Sequence, residues 1–200
     1  MKPILFNTEM VRAILAGRKT ETRRLANRTN AFGLITRPYE EGDVLYVRET
    51  WDFLPCITCM ERDCSLKPAV YEDAEAITEG CWIYRADGEN PVFMCGHNWR
   101  PSIHMPKQAA RIFLKVTKVS CQNLQDITDV DARAEGLGDP DVIYTNGALS
   151  CMFADIWDST MPKSRLARDG WAANPSVWVF RFKRIEKPAV ALRNFETFKM

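Results

Sequence analysis

Segments in which apolar and polar side chains alternate recur along most of the chain, and they constrain its fold more than any other feature. The segment "RIFLKVTKV" is apolar at Ile112, Leu114 and Val116, which is the period of two expected of a half-buried β-strand. "SVWVFRFKRI" near the C-terminus alternates in the same way. "PILF" and "GDVLYVRETW" indicate two earlier strands, the second after a turn. The strands are therefore spread over the whole chain.

Three segments between these strands have helical spacing. "NTEMVRAILAG" has its apolar residues on one face, Asn7 or Thr8 as an N-terminal cap and Gly17 as a C-terminal cap. "ITDVDARAEGL" begins with Thr128 as a cap, and "LSCMFADIWDST" is amphipathic. Strands and helices mixed in this order predict an α+β fold, arranged as a small β-barrel with flanking helices.

Length and composition bound the domain organisation. A chain of 200 residues with 46% hydrophobic content can bury one substantial core. Residues 1–188 are therefore predicted to form one domain, followed by a C-terminal tail at 189–200. Residues 52–81 show no clear period and carry acidic residues and four cysteines, so they are predicted to be a cysteine-rich inserted loop region.

The sequence also predicts the compartment of the protein and whether it contacts membranes. The segment "MKPILFNTEM" has one lysine and an apolar run too short for a secretory signal. No uninterrupted apolar segment approaches the length of a membrane span. The sequence therefore predicts a soluble, cytoplasmic protein that does not contact membranes. Seven cysteines, an odd number, favour reduced thiols or a metal site over a disulfide framework.

Charge is unevenly distributed, although the formal net charge is only +1. Between Val11 and Arg28, six cationic side chains stand against the single carboxylate of Glu21. Between Glu61 and Glu89 the balance reverses, with eight acidic and three basic residues. A basic segment near the N-terminus predicts a partner that carries phosphates, and the acidic insertion follows it.

Several segments of this chain resemble the ASCH domain family of the PUA-like superfamily, and most of all its phage and prophage members. "GRKTETRR" is similar to the family signature G-x-K-x-x-[E/T]-x-R, and the other similar segments are "GDVLYVRETW", "NWRPSIHMP", "LQDITDVDARAEGL" and "VWVFRFKRI". The resemblance implies a β-barrel with a cleft beside the signature, and RNA or modified nucleosides as ligands. More distantly, the chain resembles a small bacterial N4-acetylcytidine amidohydrolase, and this resemblance implies that its catalytic lysine, threonine and glutamate correspond to Lys19, Thr22 and Glu135.

The chemistry of Lys19, Thr22 and Glu135 can also be judged from the residue types. Cleavage of an amide needs a nucleophile, a base and a donor for the oxyanion, and threonine, lysine and a carboxylate suit such a site. Lysine is a base only when burial or nearby cations lower its pKa. Lys19 and Thr22 would lie on opposite faces of a regular strand, so partnership requires the chain to bend between them. The alternative is that both lie on an exposed turn and that Glu135 is a solvated helix residue.

Candidate contacts to RNA surround the same segment. Clustered arginines neutralise phosphates, and tryptophans can stack on unpaired bases. The residues predicted to bind nucleic acid are Arg18, Arg23, Arg24, Arg48, Trp51, Trp99 and Arg100. Aromatic side chains of a small barrel often belong to its core, and Arg48 can instead form a cross-strand pair.

The cysteines raise a separate hypothesis. "PCITC" matches half of the zinc-deaminase signature, but no histidine or cysteine precedes Cys56, so a deaminase is excluded. A structural zinc held by Cys56, Cys59, Cys64 and Cys81 remains a hypothesis, with Cys95 or His97 as other fourth ligands and free thiols as the alternative.

Two other functions stay open. A ribonuclease would cleave strands in the same cleft. A non-catalytic phage protein would instead bind a host protein through the acidic insertion, without affinity for nucleic acid.

Overall fold

The computed structural model of the chain describes residues 1–27, 35–55, 69–73, 76–88 and 99–188. Its strands are β1 (Lys2–Leu5), β2 (Glu21–Leu25), β3 (Val44–Arg48), β4 (Trp51–Pro55), β5 (Ala69–Asp73), β6 (Ala76–Tyr84), β7 (Phe113–Asn123) and β8 (Ser176–Ile185). Its α-helices are α1 (Thr8–Leu15), α2 (Asp129–Ala134), α3 (Ala148–Ser159) and α4 (Lys163–Asp169). The mixed α+β composition is confirmed.

Five strands form the main sheet in the order β1-β3-β7-β8-β2. The β1 and β3 pair is parallel, and the other pairs are antiparallel. The long pair β7 and β8, predicted from their alternation, lies inside the sheet, whereas β1 and β2 lie at its edges.

The predicted barrel is not closed among the described strands, because β1 pairs only with β3 and β2 only with β8. The two edge strands are joined by a side chain of β2 rather than by hydrogen bonds between their backbones. Arg24 donates from Nη2 to the carbonyl of Leu5 at 3.0 Å. An open sheet leaves space beside β2, and the candidate site lies there.

The main sheet is covered on both faces. Phe180 and Phe182 of β8 pack with Val11 and Ile14 of α1 on one face. Val177 and Val179, which alternate with them, pack on the other face with side chains of α3. This is the alternation predicted for "SVWVFRFKRI", and each buried apolar side chain of this size contributes about 1.5–3 kcal/mol.

The helix ends agree with the sequence. The side chain of Asn7 accepts from the backbone N–H of Met10 and caps α1. Gly17 follows α1 with a positive φ of 73°. Thr128 caps α2 in a capping box with Asp131.

The prediction of an inserted loop region at 52–81 is wrong where the structure describes it. β4, β6 and β5 form a second, antiparallel sheet of three strands in that order. No alternation marks β4 in the sequence, because its consecutive residues Trp51, Asp52 and Phe53 are all buried. No helix in the described ranges is long and apolar enough to cross a membrane.

Candidate active site at the edge of the main sheet

The basic segment forms a buried edge strand. After Gly17 the backbone N–H groups of Arg18 and Lys19 both donate to the carbonyl of Ala13, which turns the chain back into β2. Thr22 lies opposite Phe180 of β8, and both Lys19 and Thr22 are at most 2% exposed. The alternative that these two residues lie on an exposed turn is therefore wrong. Since Lys19 precedes β2, the rule that places strand neighbours on opposite faces does not separate it from Thr22.

Glu135 reaches this segment from the end of α2. It is the C-terminal cap residue of that helix, and Gly136 follows with a φ of 94°. A side chain at Gly136 would place its Cβ 2.7 Å from the Cβ of Ala13 and 3.0 Å from that of Lys19. Glycine is therefore required both by the backbone conformation and by the close approach. The carbonyl of Ala134 also accepts from the N–H of Thr20 at 2.8 Å.

Lys19 and Glu135 form a direct ion pair. Nζ of Lys19 lies 2.5 Å from Oε2 of Glu135 and donates to the carbonyls of Glu135 and Glu21, each at 2.9 Å. The three protons of the ammonium group thus have three oxygen acceptors. Burial lowers the pKa of Lys19, and the charge of Glu135 opposes that shift. Glu135 is itself only 5% exposed.

Arg23 links Glu135 to a second carboxylate. Its Nη1 donates to Oε1 of Glu135 at 3.2 Å and lies 2.8 Å from Oε1 of Glu21, in an ion pair without hydrogen-bond geometry. The other oxygen of Glu21 accepts from Nε of Arg181 at 2.6 Å. We call Lys19, Glu21, Arg23 and Glu135 the open cluster.

Arg24 contacts the candidate nucleophile. Its Nη1 donates to Oγ1 of Thr22 at 3.0 Å, and its guanidinium lies 5.4 Å from the ring centroid of Phe6. Among the described residues, the Thr22 hydroxyl is hydrogen-bonded to Arg24, and no hydrogen bond joins it to Lys19. The hydroxyl proton is thus available to a further acceptor.

A cavity of about 230 Å³ opens beside these groups. It is lined by polar side chains of the open cluster and of β2, by the start of α1 and by α3: Leu5, Asn7, Met10, Thr22, Arg23, Arg24, Glu135, Phe153, Ile156, Trp157 and Thr160. Because β2 is an edge strand, side chains from both its faces reach the same space.

Phe153 and Trp157 of α3 form an aromatic wall of this cavity, and the position of α3 depends on α2. The carboxylate of Asp129, the first residue of α2, accepts from the backbone N–H groups of Gly147 and Ser150 at 2.6 and 3.0 Å. Asp129 therefore satisfies the N-terminus of α3, and these bonds hold the pKa of its carboxyl below the usual range. The same short helix thus places Glu135, Phe153 and Trp157 around one cavity.

Four of the seven residues predicted to bind nucleic acid fall into two groups. Arg23 and Arg24 line the cavity, as described above. Arg18 and Arg100 are exposed, and Arg18 donates from Nη1 to the carbonyl of Gly136 at 3.0 Å.

The remaining three predicted contacts are Arg48, at the end of β3, Trp51, at the start of β4, and Trp99. Arg48 donates to the carbonyl of Ile103 at 3.1 Å, and Trp99 is half-buried. Trp51 is only 1% exposed, packs against Trp82 at a centroid distance of 5.4 Å and lies 5.1 Å from the guanidinium of Arg100. Trp51 is thus a core side chain, and stacking on a base would require it to leave the core.

The predicted zinc ligands Cys56, Cys59 and Cys64, and the alternatives Cys95 and His97, lie outside the described residues. Cys81 is described, and its side chain is buried. Within the described ranges no group of three or more histidine, cysteine, aspartate or glutamate side chains is arranged to hold a metal ion.

Sequence reasoning missed several residues of the site. Glu21 was counted only as the lone acidic residue of a basic segment, although it pairs with both Arg23 and Arg181. Phe153 and Trp157 were assigned to a helix face without a function. The signal for Glu21 was its alternation with Thr22, which places it on the face of β2 turned towards α2.

Comparisons with known proteins add little to this geometry. A scan against models of known protein families finds no match. A search of the curated proteins finds no significant relative. Among solved structures the chain is similar to the crystal structure of protein EF3133 from Enterococcus faecalis V583, described as family DUF984. The identity is 11%, the TM-score is 0.45, and the alignment covers 95% of this chain and 84% of that protein. A likeness this weak assigns neither family nor function.

Proposed function

We propose that the protein binds RNA or a modified nucleoside in the cavity beside β2 and hydrolyses an N4-acyl amide of cytidine there. The contact between Lys19 and Glu135 carries the proposal, because it joins residues 116 positions apart at a cavity that Thr22 also lines. The resemblance of "GRKTETRR" to the ASCH signature supports the same three residues. Membership of that family, and a phage or prophage origin, are part of the proposal.

The three residues have distinct roles in the proposed reaction. The hydroxyl oxygen of Thr22 attacks the acyl carbon, and Lys19, in its neutral form, takes the hydroxyl proton. The proton passes to N4 as the bond between the acyl carbon and N4 breaks, which releases cytidine. Water then hydrolyses the acyl ester of Thr22 and releases the carboxylic acid. Glu135 orients Lys19 throughout.

Burial of Lys19 supports the role of base. A lysine in water is protonated at neutral pH, and desolvation favours the uncharged amine that can accept a proton. Arg24 supports the role of Thr22, because a guanidinium beside an oxygen stabilises negative charge that develops on it. Catalytic contacts often tighten only when substrate binds, so the missing hydrogen bond between Lys19 and Thr22 is compatible with both roles.

The cavity suits a single nucleoside better than a folded nucleic acid. Pockets for drug-sized ligands have volumes of about 300–1,000 Å³, and this cavity is smaller. Its aromatic wall of Phe153 and Trp157 offers faces against which a base can pack. An RNA substrate would therefore present an unpaired nucleotide.

The proposal is tested by incubating the purified protein with N4-acetylcytidine, other acylated nucleosides and RNA, and identifying products by mass spectrometry. Thr22→Ala, Lys19→Ala and Glu135→Gln should each lower hydrolysis roughly 10³-fold or more, because residues that act together each remove most of the activity. Thr22→Ser keeps a hydroxyl and should retain measurable hydrolysis. Thermal unfolding of Thr22→Ala and Thr22→Ser should be compared, so that a loss of fold is recognised.

Three outcomes would contradict the hydrolase. Wild-type protein that releases no acid from any acylated nucleoside at high concentration leaves only binding. Cleavage of the RNA strand indicates the ribonuclease. Absence of affinity for any nucleoside or RNA favours a protein partner.

A further inference from the structure

The guanidinium of Arg23 has two donors without a partner. Its side chain is 1% exposed, and neither Nε nor Nη2 makes a hydrogen bond within the described part of the chain. The carboxylate of Asp131 lies 3.7 Å from Nη2, beyond hydrogen-bond distance. That carboxylate oxygen already accepts from the backbone and the hydroxyl of Thr128 at 3.1 and 2.8 Å. Buried donors are nearly always satisfied, so these two call for a partner, and a ligand in the cavity reaches them once the side chains around Arg23 move, because both atoms have almost no accessible surface here.

The two unpaired donors form a fork that suits a specific kind of ligand. Nε and Nη2 lie on one edge of the planar guanidinium, and this edge binds two coplanar acceptor atoms at once. Arg23 lines the cavity, and its guanidinium carbon lies 5.7 Å from the ring centroid of Phe153 on the cavity wall. A ligand in the cavity is therefore expected to present two neighbouring acceptors in one plane.

Two classes of ligand carry such a pair of acceptors: anions such as a carboxylate or phosphate, and neutral bases. Charge indicates which class fits this site. A carboxylate or phosphate would add an anion next to Arg23, whose Nη1 is already close to the carboxylates of Glu21 and Glu135. Like charges that are brought together in a buried site repel each other. A neutral base edge satisfies the same fork without this repulsion, and the apolar faces of Phe153 and Trp157 suit a flat ring.

We infer that Arg23 recognises cytosine, donating from Nε and Nη2 to its O2 and N3 atoms. The inference rests on the proposed nucleoside-binding function and adds the residue that selects the base. Uracil has a hydrogen on N3, so it would place a donor opposite the donors of Arg23. Guanine offers a similar pair at O6 and N7, but it has two rings in a cavity of about 230 Å³.

Isothermal titration calorimetry with unmodified nucleosides tests the inference in wild-type protein. Cytidine and 2-pyrimidinone riboside, which keeps O2 and N3 but lacks N4, should bind with similar affinity. Uridine and 3-deazacytidine, in which a C–H replaces N3, should bind roughly tenfold or more weakly. Equal binding of cytidine and 3-deazacytidine overturns the inference. So does tighter binding of guanosine, or of benzoate as a carboxylate probe.

Two matched variants assign the selectivity to Arg23. Arg23→Lys keeps the charge but loses the fork, so its preference for cytidine over uridine should fall to about twofold or less. Arg181→Lys perturbs the same ion-pair network through Glu21, does not line the cavity and should keep the wild-type preference. If Arg23→Lys does not fold, the nucleoside series in wild-type protein still decides.

The outcomes distinguish this inference from the hydrolase. Release of acid from N4-acetylcytidine without any preference for cytidine over uridine rejects base recognition by Arg23 and leaves the hydrolase. Selective binding of cytidine without hydrolysis rejects the hydrolase and leaves base recognition. Absence of binding to every nucleoside rejects both.

Discussion

Two ion clusters of this protein each hold a buried glutamate beside an arginine, and they differ in whether the donors of that arginine are satisfied. In the second cluster, which we call the closed cluster, Arg111 donates to Glu49 from Nε at 2.9 Å and from Nη2 at 3.0 Å, and to Asp87 from Nη1 at 2.7 Å. Every guanidinium nitrogen is engaged. In the open cluster, Nη1 is the one nitrogen of the Arg23 guanidinium that is hydrogen-bonded within the described residues, and a cavity lies beside this cluster.

The difference indicates which cluster has donors left for a ligand. A fully paired guanidinium has no donor left for a ligand, and Arg111 also packs 3.9 Å from the ring centroid of Tyr84. The open cluster leaves donors of Arg23 unpaired inside the protein, at a cost in stability that a ligand would offset. In this protein, the buried arginine with incomplete hydrogen bonds is the one that lines a cavity.

The largest expected effect is on stability, and it should be greater in the closed cluster. Arg111→Met leaves Glu49, which is 1% exposed, without its partner, and should lower the free energy of unfolding by about 3–5 kcal/mol. Arg23→Met should cost less, on the order of 1–2 kcal/mol, because Glu21 keeps Arg181 and Glu135 keeps Lys19. Urea unfolding of both variants measures the comparison. A larger loss in Arg23→Met would show that the open cluster is the main support of the fold.

The next expected effect is the pH dependence of hydrolysis and of stability, and it should come from the open cluster and not from the closed cluster. If neutral Lys19 is the base, kcat/KM for hydrolysis should rise with pH up to an inflection below 10.5, because burial lowers its pKa. Between that pKa and 10.5 the folded protein binds fewer protons than the unfolded chain, so its stability should also rise with pH.

Two variants check the assignment of this inflection. Lys19→Arg, which cannot lose its proton, should abolish it, whereas Glu49→Gln in the closed cluster should leave its position unchanged. An inflection that persists in Lys19→Arg would mean that another group is the base.

The smallest effect concerns salt and should arise outside both clusters. Arg18 and Arg100 are exposed and can reach phosphates, whereas Arg23 is buried and Arg111 is paired with Glu49 and Asp87. Affinity for single-stranded RNA should fall as salt rises, and Arg18→Ala with Arg100→Ala should reduce the slope of log K against log salt by about 1.4. Arg168→Ala removes a cation that is 73% exposed at the end of α4 and serves as the control. A slope that does not change in the double variant would exclude these two arginines from phosphate binding.

Patterns of neighbouring residues in the sequence were enough to predict most strands and helices of the fold. The alternation of "SVWVFRFKRI" predicted β8, and the caps Asn7, Thr128 and Gly17 predicted the ends of α1 and the start of α2. These features depend on neighbours within a few residues, which a sequence displays directly. The strands β5 and β6 were missed because their pairing partners, rather than an apolar period, define them.

The candidate site divides in the same way between sequence and structure. By itself the sequence determined which groups are present: a lysine, a threonine and several arginines close together, with a glutamate before a glycine far along the chain. Only the tertiary structure decided that Lys19 and Glu135 touch, since packing of α2 against β2 brings them together over 116 positions. It also decided that Arg23 is buried with two donors unpaired, because this depends on the distance to Asp131 and on the cavity beside an edge strand.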